Sequence, residues 1–340
     1  MKTAGFAYDL PEELIAQTPA ERRDGSRLMV LDRKTGGVRH RFFYDLPEFL
    51  RHGDCLVVNN SRVLPARLAG RRENGGAAEV LLLRDLGGDR WKCLVKPGKS
   101  LRTGARVVFG GDRLTGVVED MGPGGERIVR FAYGGGWDEL LRELGAAPLP
   151  PYIRRKPPDS ERYQTVYAKP PGSAAAPTAG LHFTAELLDR LRGMGVQIAE
   201  ITLHVGLGTF QPVTADDVRD HVMHTEWYEI PGTAAETVNR ARAAGGRIVA
   251  VGTTSCRTLE SAVSPCGKLL TGSGETGIFI TPGYSFRMTD ALITNFHLPQ
   301  STLLMLVSAF CTREMILSAY GEAIRERYRF FSFGDAMLIV

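Results

Sequence analysis

Between Pro177 and Val213 the chain reads PTAGLHFTAELLDRLRGMGVQIAEITLHVGLGTFQPV, a helix followed at once by a buried strand. Thr184 suits the N-cap, because its hydroxyl accepts a first-turn N–H, and Glu186 then sits where the helix dipole favours negative charge. Leu187, Leu188, Leu191 and Met194 recur at helical spacing and form one apolar face. Gly193 or Gly195 supplies the left-handed stop. Val196 to Val205 alternates and is rich in β-branched residues, which predicts a strand. Open α/β sheets bind ligands beyond the carboxyl ends of their strands. Gly180 and His182 flank the helix start, and the run His204 to Phe210 leaves the strand, so both histidines are expected at that edge.

The same rhythm recurs on both sides. Asp9 to Leu14 opens a short helix with Asp9 as its cap, and Leu46 to Leu50 suggests a helical turn. Arg27 to Asp32 and Val38 to Phe43 flank Lys34-Thr35-Gly36-Gly37, a hairpin signal. Asp54 to Asn60 is a strand running into a polar turn. After Val213, Thr214 caps a short helix, Trp227 to Ile230 is a strand, Ala234 to Ala244 a helix and Arg247 to Val251 a strand. Gly252 to Ser255 is a polar turn into a helix from Arg257. Ile278 to Ile280 and Ala291 to Thr294 are strands, an apolar helix starts at Ser301, and a last helix spans Arg313 to Tyr328.

From Ala66 to Tyr133 the texture changes to six short strand-like runs between glycine-rich turns, the spacing of a sandwich or small barrel. Trp137 to Leu144 follows as a helix. The expected fold is α/β, a mixed or parallel sheet flanked by helices, with an inserted all-β barrel-like domain. Residues 1–60 and 150–340 form the discontinuous α/β domain, and residues 61–149 the insert. The charged, proline-rich stretch 154–176 is loop-like, a candidate lid or nucleic-acid contact.

Composition narrows the class. The chain has 340 residues, 43% apolar and 24% charged, enough for a sizeable core. A net charge of +4 permits an acidic partner without demanding one. No apolar run reaches the roughly 18 residues that span a bilayer, and MKTAGFAYDLPEEL lacks the apolar core of a signal peptide. Five scattered cysteines, none at zinc-ligand spacing, suit a reducing cytosol.

Three strand ends carry reactive side chains: His204, then Thr253 to Ser255, then Asn295 and His297. Imidazole titrates near neutrality, so His182, His204 and His297 are candidate acids and bases, against the alternative of structurally satisfied histidines. Gly252-Thr253-Thr254-Ser255 fits an anion cradle at a helix N-terminus and equally an ordinary cap by Thr254 or Ser255. Gly206 and Gly208 allow close backbone approach to a ligand or a plain tight turn, and the run is not a dinucleotide fingerprint. His221 and His224 would share a helical face but lack the zinc-protease order, so no metal site is predicted. Arg22, Arg23, Arg27, Arg62, Arg67, Arg154 and Arg155 fall in basic clusters that suit phosphate contacts or a solvated face.

The runs DLPEELIAQTPAERRDGSRLMVLDR, VVNNSRVLPARLAGR, RYQTVYA, AAPTAGLHFT, ITLHVGLGTFQPV, VGTTSCRTLES and LITNFHLPQSTLLMLVSAF resemble the S-adenosylmethionine:tRNA ribosyltransferase-isomerase family of queuosine biosynthesis, from one end of the chain to the other. Gln300 stands where that family commonly has lysine, and Gly277 where it commonly has an acidic residue. The resemblance implies transfer and rearrangement of the ribosyl part of S-adenosylmethionine onto 7-aminomethyl-7-deazaguanine at the tRNA wobble position. Epoxyqueuosine-tRNA, adenine and methionine are the implied products. It also implies a cytoplasmic monomer with no metal, no membrane association and no bound prosthetic group, S-adenosylmethionine being a co-substrate. On this reading His182, His204 and His297 form the acid/base set, and Asn295 orients one of them or a sugar hydroxyl. Thr253, Thr254 and Ser255 hold the methionine carboxylate, with Gly206 and Gly208 beside them, and Phe183, Phe210 or Phe296 faces adenine or the sulfonium. The arginine clusters become anticodon-stem contacts. A methyltransferase would release S-adenosylhomocysteine instead, and a non-catalytic RNA-binding protein would leave the strand-end histidines without a role.

Overall fold

The computed structural model describes residues 1–155, 159–206, 208 and 213–340. These divide into two compact units, one of residues 1–62, 151–170 and 176–340, the other of residues 63–150 and 171–175.

The first unit is built on a nine-stranded sheet. Its strands are Arg27–Leu31 (β1), Val38–Phe42 (β2), Cys55–Asn59 (β3), Gln197–Leu203 (β4), Glu226–Ile230 (β5), Ile248–Val251 (β6), Gly272–Thr276 (β7), Ala291–Asn295 (β8) and Ala336–Ile339 (β9). Their spatial order is β7-β5-β4-β3-β6-β8-β9-β1-β2. The central strands β4, β3, β6 and β8 run parallel. β9 is antiparallel to β8 and parallel to β1, so the sheet is mixed. The carboxyl ends of the four parallel strands therefore share one edge with the amino ends of β9 and β1. Asn59, Leu203, Val251 and Asn295 end there, and Ser26 enters there.

Both faces are covered. Along β3, Cys55 and Val57 join one apolar cluster and Leu56 and Val58 the other, which is why these strands read as continuous apolar runs. The larger cluster packs helices Gly232–Ala243, Gly252–Ser261, Thr302–Phe310 and Arg313–Arg325. The other takes helix Ala185–Gly193, whose Leu187, Leu188 and Leu191 are buried and contribute about 1.5–3 kcal/mol each. With Trp137–Leu144 as α1, these helices are, in chain order, α2 (Ala185–Gly193), α3 (Gly232–Ala243), α4 (Gly252–Ser261), α5 (Thr302–Phe310) and α6 (Arg313–Arg325). Thr184 caps α2 by accepting the Leu187 N–H, and Gly195 (φ +81°) takes the left-handed stop. No single helix among the described residues is long and apolar enough to cross a membrane.

The second unit is a closed antiparallel barrel of Arg67–Arg72, Ala77–Gly87, Arg90–Lys96, Glu126–Tyr133, Leu114–Met121 and Arg106–Phe109, taken in spatial order. The last strand returns to pair with the first. α1 belongs to this unit.

Several expectations need correction. Asp9 caps nothing; the short 3-10 turn is Glu12–Leu14 with Pro11 before it. Leu46 to Leu50 is not a turn of its own, since the 3-10 segment is Phe43–Glu48. Thr214 is not a cap, because the turn is Val218–Asp220 and Asp217 accepts the Arg219 N–H. The helix expected from Arg257 starts five residues earlier, at Gly252 (φ +87°). Ile278 to Ile280 is not a strand; the edge strand is Gly272–Thr276, because the ladder to β5 pairs those residues. β9 was not anticipated, although it lies inside the sheet. The loop-like reading of 154–176 holds for its described residues, which carry only the 3-10 turn Ser160–Tyr163 and the short strand Pro171–Ser173, although Tyr163, Gln164 and Thr165 are buried; residues 156–158 lie outside the described residues.

Candidate active site

The sheet edge collects buried, uncharged polar side chains. At the end of β8, Asn295 Nδ2 donates to His182 Nε2 at 3.1 Å, and Thr178 Oγ1 lies 2.8 Å from Asn295 Oδ1. Because Nε2 accepts, the ring proton is on Nδ1, which lies 2.7 Å from Ser26 Oγ. The imidazole stacks on Phe43. Burial, with the Arg329 and Arg23 charges adding to it, pushes the His182 pKa down to about 3. His182 is thus a neutral ring at pH 7. A small cleft beside it is lined by Arg23, Ser26, Arg162, Leu181 and Ser332.

A second chain runs from the end of β3. Ser61 Oγ lies 2.8 Å from His204 Nδ1, and the Ser61 N–H donates to Asn59 Oδ1. The His204 ring stacks on Trp227 of β5 and burial lowers its pKa, while the His204 main-chain N–H donates to the Trp227 carbonyl. Asn59 Nδ2 also reaches Thr254 Oγ1 at 3.3 Å, in the first turn of α4. That turn has no side-chain N-cap, so its leading amides point at the edge without an internal acceptor. Ser255 Oγ donates back to the Val251 carbonyl, and its N–H closes the first helical bond to the same carbonyl, so the leading amides without a helical acceptor are those of Gly252, Thr253 and Thr254.

The glycine run is held from the far side. Glu226 accepts the Gly206 N–H at 2.8 Å and pairs with buried Arg257. A Cβ on Gly208 would collide with the His224 ring, so glycine is required there. Burial pushes the Glu226 pKa up, but His224, Arg257 and the Gly206 amide outweigh it and hold the carboxyl below its ordinary value.

Of the residues expected at the site, His182 and Asn295 meet directly, and Asn59 joins the His204 end to Thr254. His297 takes another partner: its Nε2 lies 2.8 Å from Thr294 Oγ1, its N–H donates to Tyr320 and its carbonyl accepts from Tyr8. Burial pushes its pKa down to about 3. Thr253 is buried beside Thr254. Phe210 lies outside the described residues. Phe183 and Phe296 are fully buried, against Phe43 and against Tyr320 and Phe330 respectively, which fits packing rather than a ligand face.

The arginines are mostly engaged at the surface. Arg22 pairs with Asp24, Arg27 lies over Tyr328 and near Glu326, Arg62 pairs with Glu161, and Arg154 with Glu12. Arg23 donates to the Leu181 and Glu161 carbonyls. Arg67 pairs with Glu79 within the barrel, and Arg155 is exposed. Among the described residues no group of three or more His, Cys, Asp or Glu is arranged to hold a metal ion.

Sequence reasoning missed Ser26, Asn59, Ser61 and Thr178. The Asn59-Asn60-Ser61 run at a strand end was the available signal.

The model of the queuosine biosynthesis protein family matches residues 3–339. A protein of Clostridioides difficile (strain 630) named S-adenosylmethionine:tRNA ribosyltransferase-isomerase is 57% identical over 340 residues, covering all of both chains. One of the same name from Symbiobacterium thermophilum is 59% identical over 341 residues, again with full coverage of both. The crystal structure of S-adenosylmethionine tRNA ribosyltransferase from Thermotoga maritima is 42% identical and superposes with a TM-score of 0.57, covering 99% of this chain and all of that one. The chain belongs to the S-adenosylmethionine:tRNA ribosyltransferase-isomerase family of queuosine biosynthesis.

Proposed function

We propose that this enzyme transfers and isomerises the ribosyl moiety of S-adenosylmethionine onto 7-aminomethyl-7-deazaguanine at the tRNA wobble position. The products are epoxyqueuosine-tRNA, adenine and methionine. The observation that carries this is identity of 55–59% with relatives of that name along the whole chain. We read residues 1–60 and 150–340 as the catalytic domain, residues 61–149 as the insert, and the protein as a cytoplasmic monomer without membrane association, metal or prosthetic group.

The sheet edge suits the chemistry. The sulfonium acidifies its neighbouring 5′-methylene, so a base must take a proton there. Adenine leaves more easily once a ring nitrogen is protonated, and the attacking amine must be neutral. Neutral imidazoles begin as acceptors. One of them becomes an acid only after taking the methylene proton, which it then passes to the departing adenine. His182, His204 and His297 are the candidate set; Asn295 orients His182 by donating to Nε2, so that nitrogen takes a proton only once the Asn295 bond is released. The methionine carboxylate sits at the α4 N-terminus on the first turn formed by Thr253, Thr254 and Ser255, with the Thr253 and Thr254 amides as donors, where the dipole favours negative charge. Gly206, Gly208 and Phe210 complete the pocket for S-adenosylmethionine. Arg22, Arg23, Arg27, Arg62, Arg67, Arg154 and Arg155 contact the tRNA backbone, so binding weakens with salt.

The test is adenine release from S-adenosylmethionine with an anticodon stem-loop carrying the modified base. Adenine formed only with that base, with a matching mass gain on the RNA, is expected. S-adenosylhomocysteine, or RNA binding with no product, would overturn the reading.

A further inference from the structure

The polar chain that reaches His204 starts from a side chain with no solvent exposure. Asn59 closes β3 and uses its whole hydrogen-bonding capacity. Oδ1 accepts the Leu203 N–H at 3.0 Å and the Ser61 N–H at 3.1 Å. Nδ2 donates to the Leu203 carbonyl at 2.9 Å and to Thr254 Oγ1 at 3.3 Å. The main-chain register of β3 with β4 ends at Asn59 and Ile201, so the side chain imitates one further rung on Leu203. That rung fixes the residue immediately before His204.

Clamping β4 needs only two of the four bonds. The other two go to Ser61, whose hydroxyl meets His204 Nδ1, and to Thr254, in the first turn of α4. We propose that Asn59 is a positioning residue that holds His204 and the first turn of α4 in mutual register, so that one amide aligns the proton acceptor with the carboxylate cradle. This rests on the transferase reading of the sheet edge. It also separates two effects: the accepting oxygen acts through Ser61 on the chemical step, and the donating nitrogen acts through Thr254 on S-adenosylmethionine binding.

The test is steady-state adenine release by full-length Asn59→Ala, Thr254→Val, Ser61→Ala and the Asn59→Ala/Ser61→Ala double variant, with folding followed by circular dichroism. Asn59→Ala is expected to lower kcat about tenfold and raise the KM for S-adenosylmethionine about tenfold, each the scale of a lost hydrogen bond or two. Thr254→Val removes the α4 partner of Asn59 and leaves both Leu203 bonds and the Ser61 bond in place, so KM rises while kcat stays within about threefold. Ser61→Ala lowers kcat alone. The double variant falls no more than about twofold below the worse single in kcat, because both act through His204. Asn59→Ala kinetics like the wild type, multiplicative losses in the double, or a Thr254→Val protein that loses kcat as much as it gains KM would each overturn the proposal. Where Asn59→Ala does not fold, the split between Thr254→Val and Ser61→Ala decides. A wild-type protein that releases no adenine overturns the transferase reading, and this inference with it.

Discussion

The barrel and the sheet edge bury polar side chains in opposite ways. In the barrel, Arg127 is almost wholly enclosed, and its guanidinium donates to the carbonyls of Leu101, Gly125, Glu126 and Gly98. Arg67, Lys92 and Arg130 each meet a carboxylate on a neighbouring strand. These networks close on themselves, as expected of groups that hold a fold together. At the sheet edge, beside the Glu226–Arg257 pair and Asp335, neutral hydroxyls, amides and imidazoles are linked in chains that end at His182, His204 and the uncapped turn of α4. Rings kept neutral by burial and amides without an internal acceptor are what a site for a cationic, carboxylate-bearing substrate requires. On the proposed reading, the difference separates a chemical edge from a structural barrel interior.

The largest test of that contrast pairs one residue from each region. His182→Ala should cut adenine release by about 10²–10⁴, the range for a lost acid–base group. Arg127→Ala should destabilise the protein by about 2 kcal/mol yet leave turnover of the folded fraction within about threefold. Substantial turnover in His182→Ala, or an Arg127→Ala enzyme that is folded and inactive, would dissolve the distinction.

Glu226 offers a smaller test, because its pair with Arg257 is structural but supports the Gly206 loop at the edge. Removing one partner of a buried ion pair costs about 3–5 kcal/mol, so Glu226→Ala should lower the urea midpoint more than Arg127→Ala does. The Glu226 pKa is depressed in the fold. Its contribution is therefore full above the ordinary glutamate range and is lost as pH falls through the lower folded value. Urea titrations should show a shallower acid limb in Glu226→Ala than in the wild type.

The buried histidines act over a wider window. His182 and His297 titrate near 3 when folded and near the ordinary value of about 6.5 when unfolded. The unfolded chain binds more protons between those values, so stability should fall steadily as pH drops from about 6.5 towards 3. His297→Gln should flatten this decline, and an unchanged slope would show that the ring is not held neutral. The smallest effects belong to the surface. Arg22→Ala or Arg154→Ala should raise the KM for RNA about two- to threefold and reduce the salt slope by roughly one. Filter binding over a salt series checks this.

Periodicity exposed most of the framework: α1, α2, the six barrel strands and the parallel strands all follow local pattern. The exceptions have physical causes. Gly252-Thr253-Thr254-Ser255 looks like a turn by propensity, yet Gly252 at positive φ lets α4 start directly from β6. Gly272–Thr276 lacks a strand-like composition and is one because β5 offers it a ladder. β9 is four apolar residues near the chain end, too short to show a period. The histidines and Asn295 were visible because imidazole and amide at strand ends are chemically conspicuous. Ser26, Asn59 and Ser61 were not, since their partners lie 156, 195 and 143 residues away and only the folded sheet brings them together.

The central claim is that the carboxyl edge of the parallel strands is where S-adenosylmethionine binds, and the most direct measurement is a crystal structure with that molecule bound. The expected complex has the methionine carboxylate on the first turn of α4, accepting from the Thr253 and Thr254 amides. It also places the 5′-methylene within roughly 3.5 Å of an imidazole nitrogen of His182 or His204, the separation at which a proton is transferred. A molecule bound away from the α4 N-terminus, with its methylene out of reach of both rings, would contradict the account.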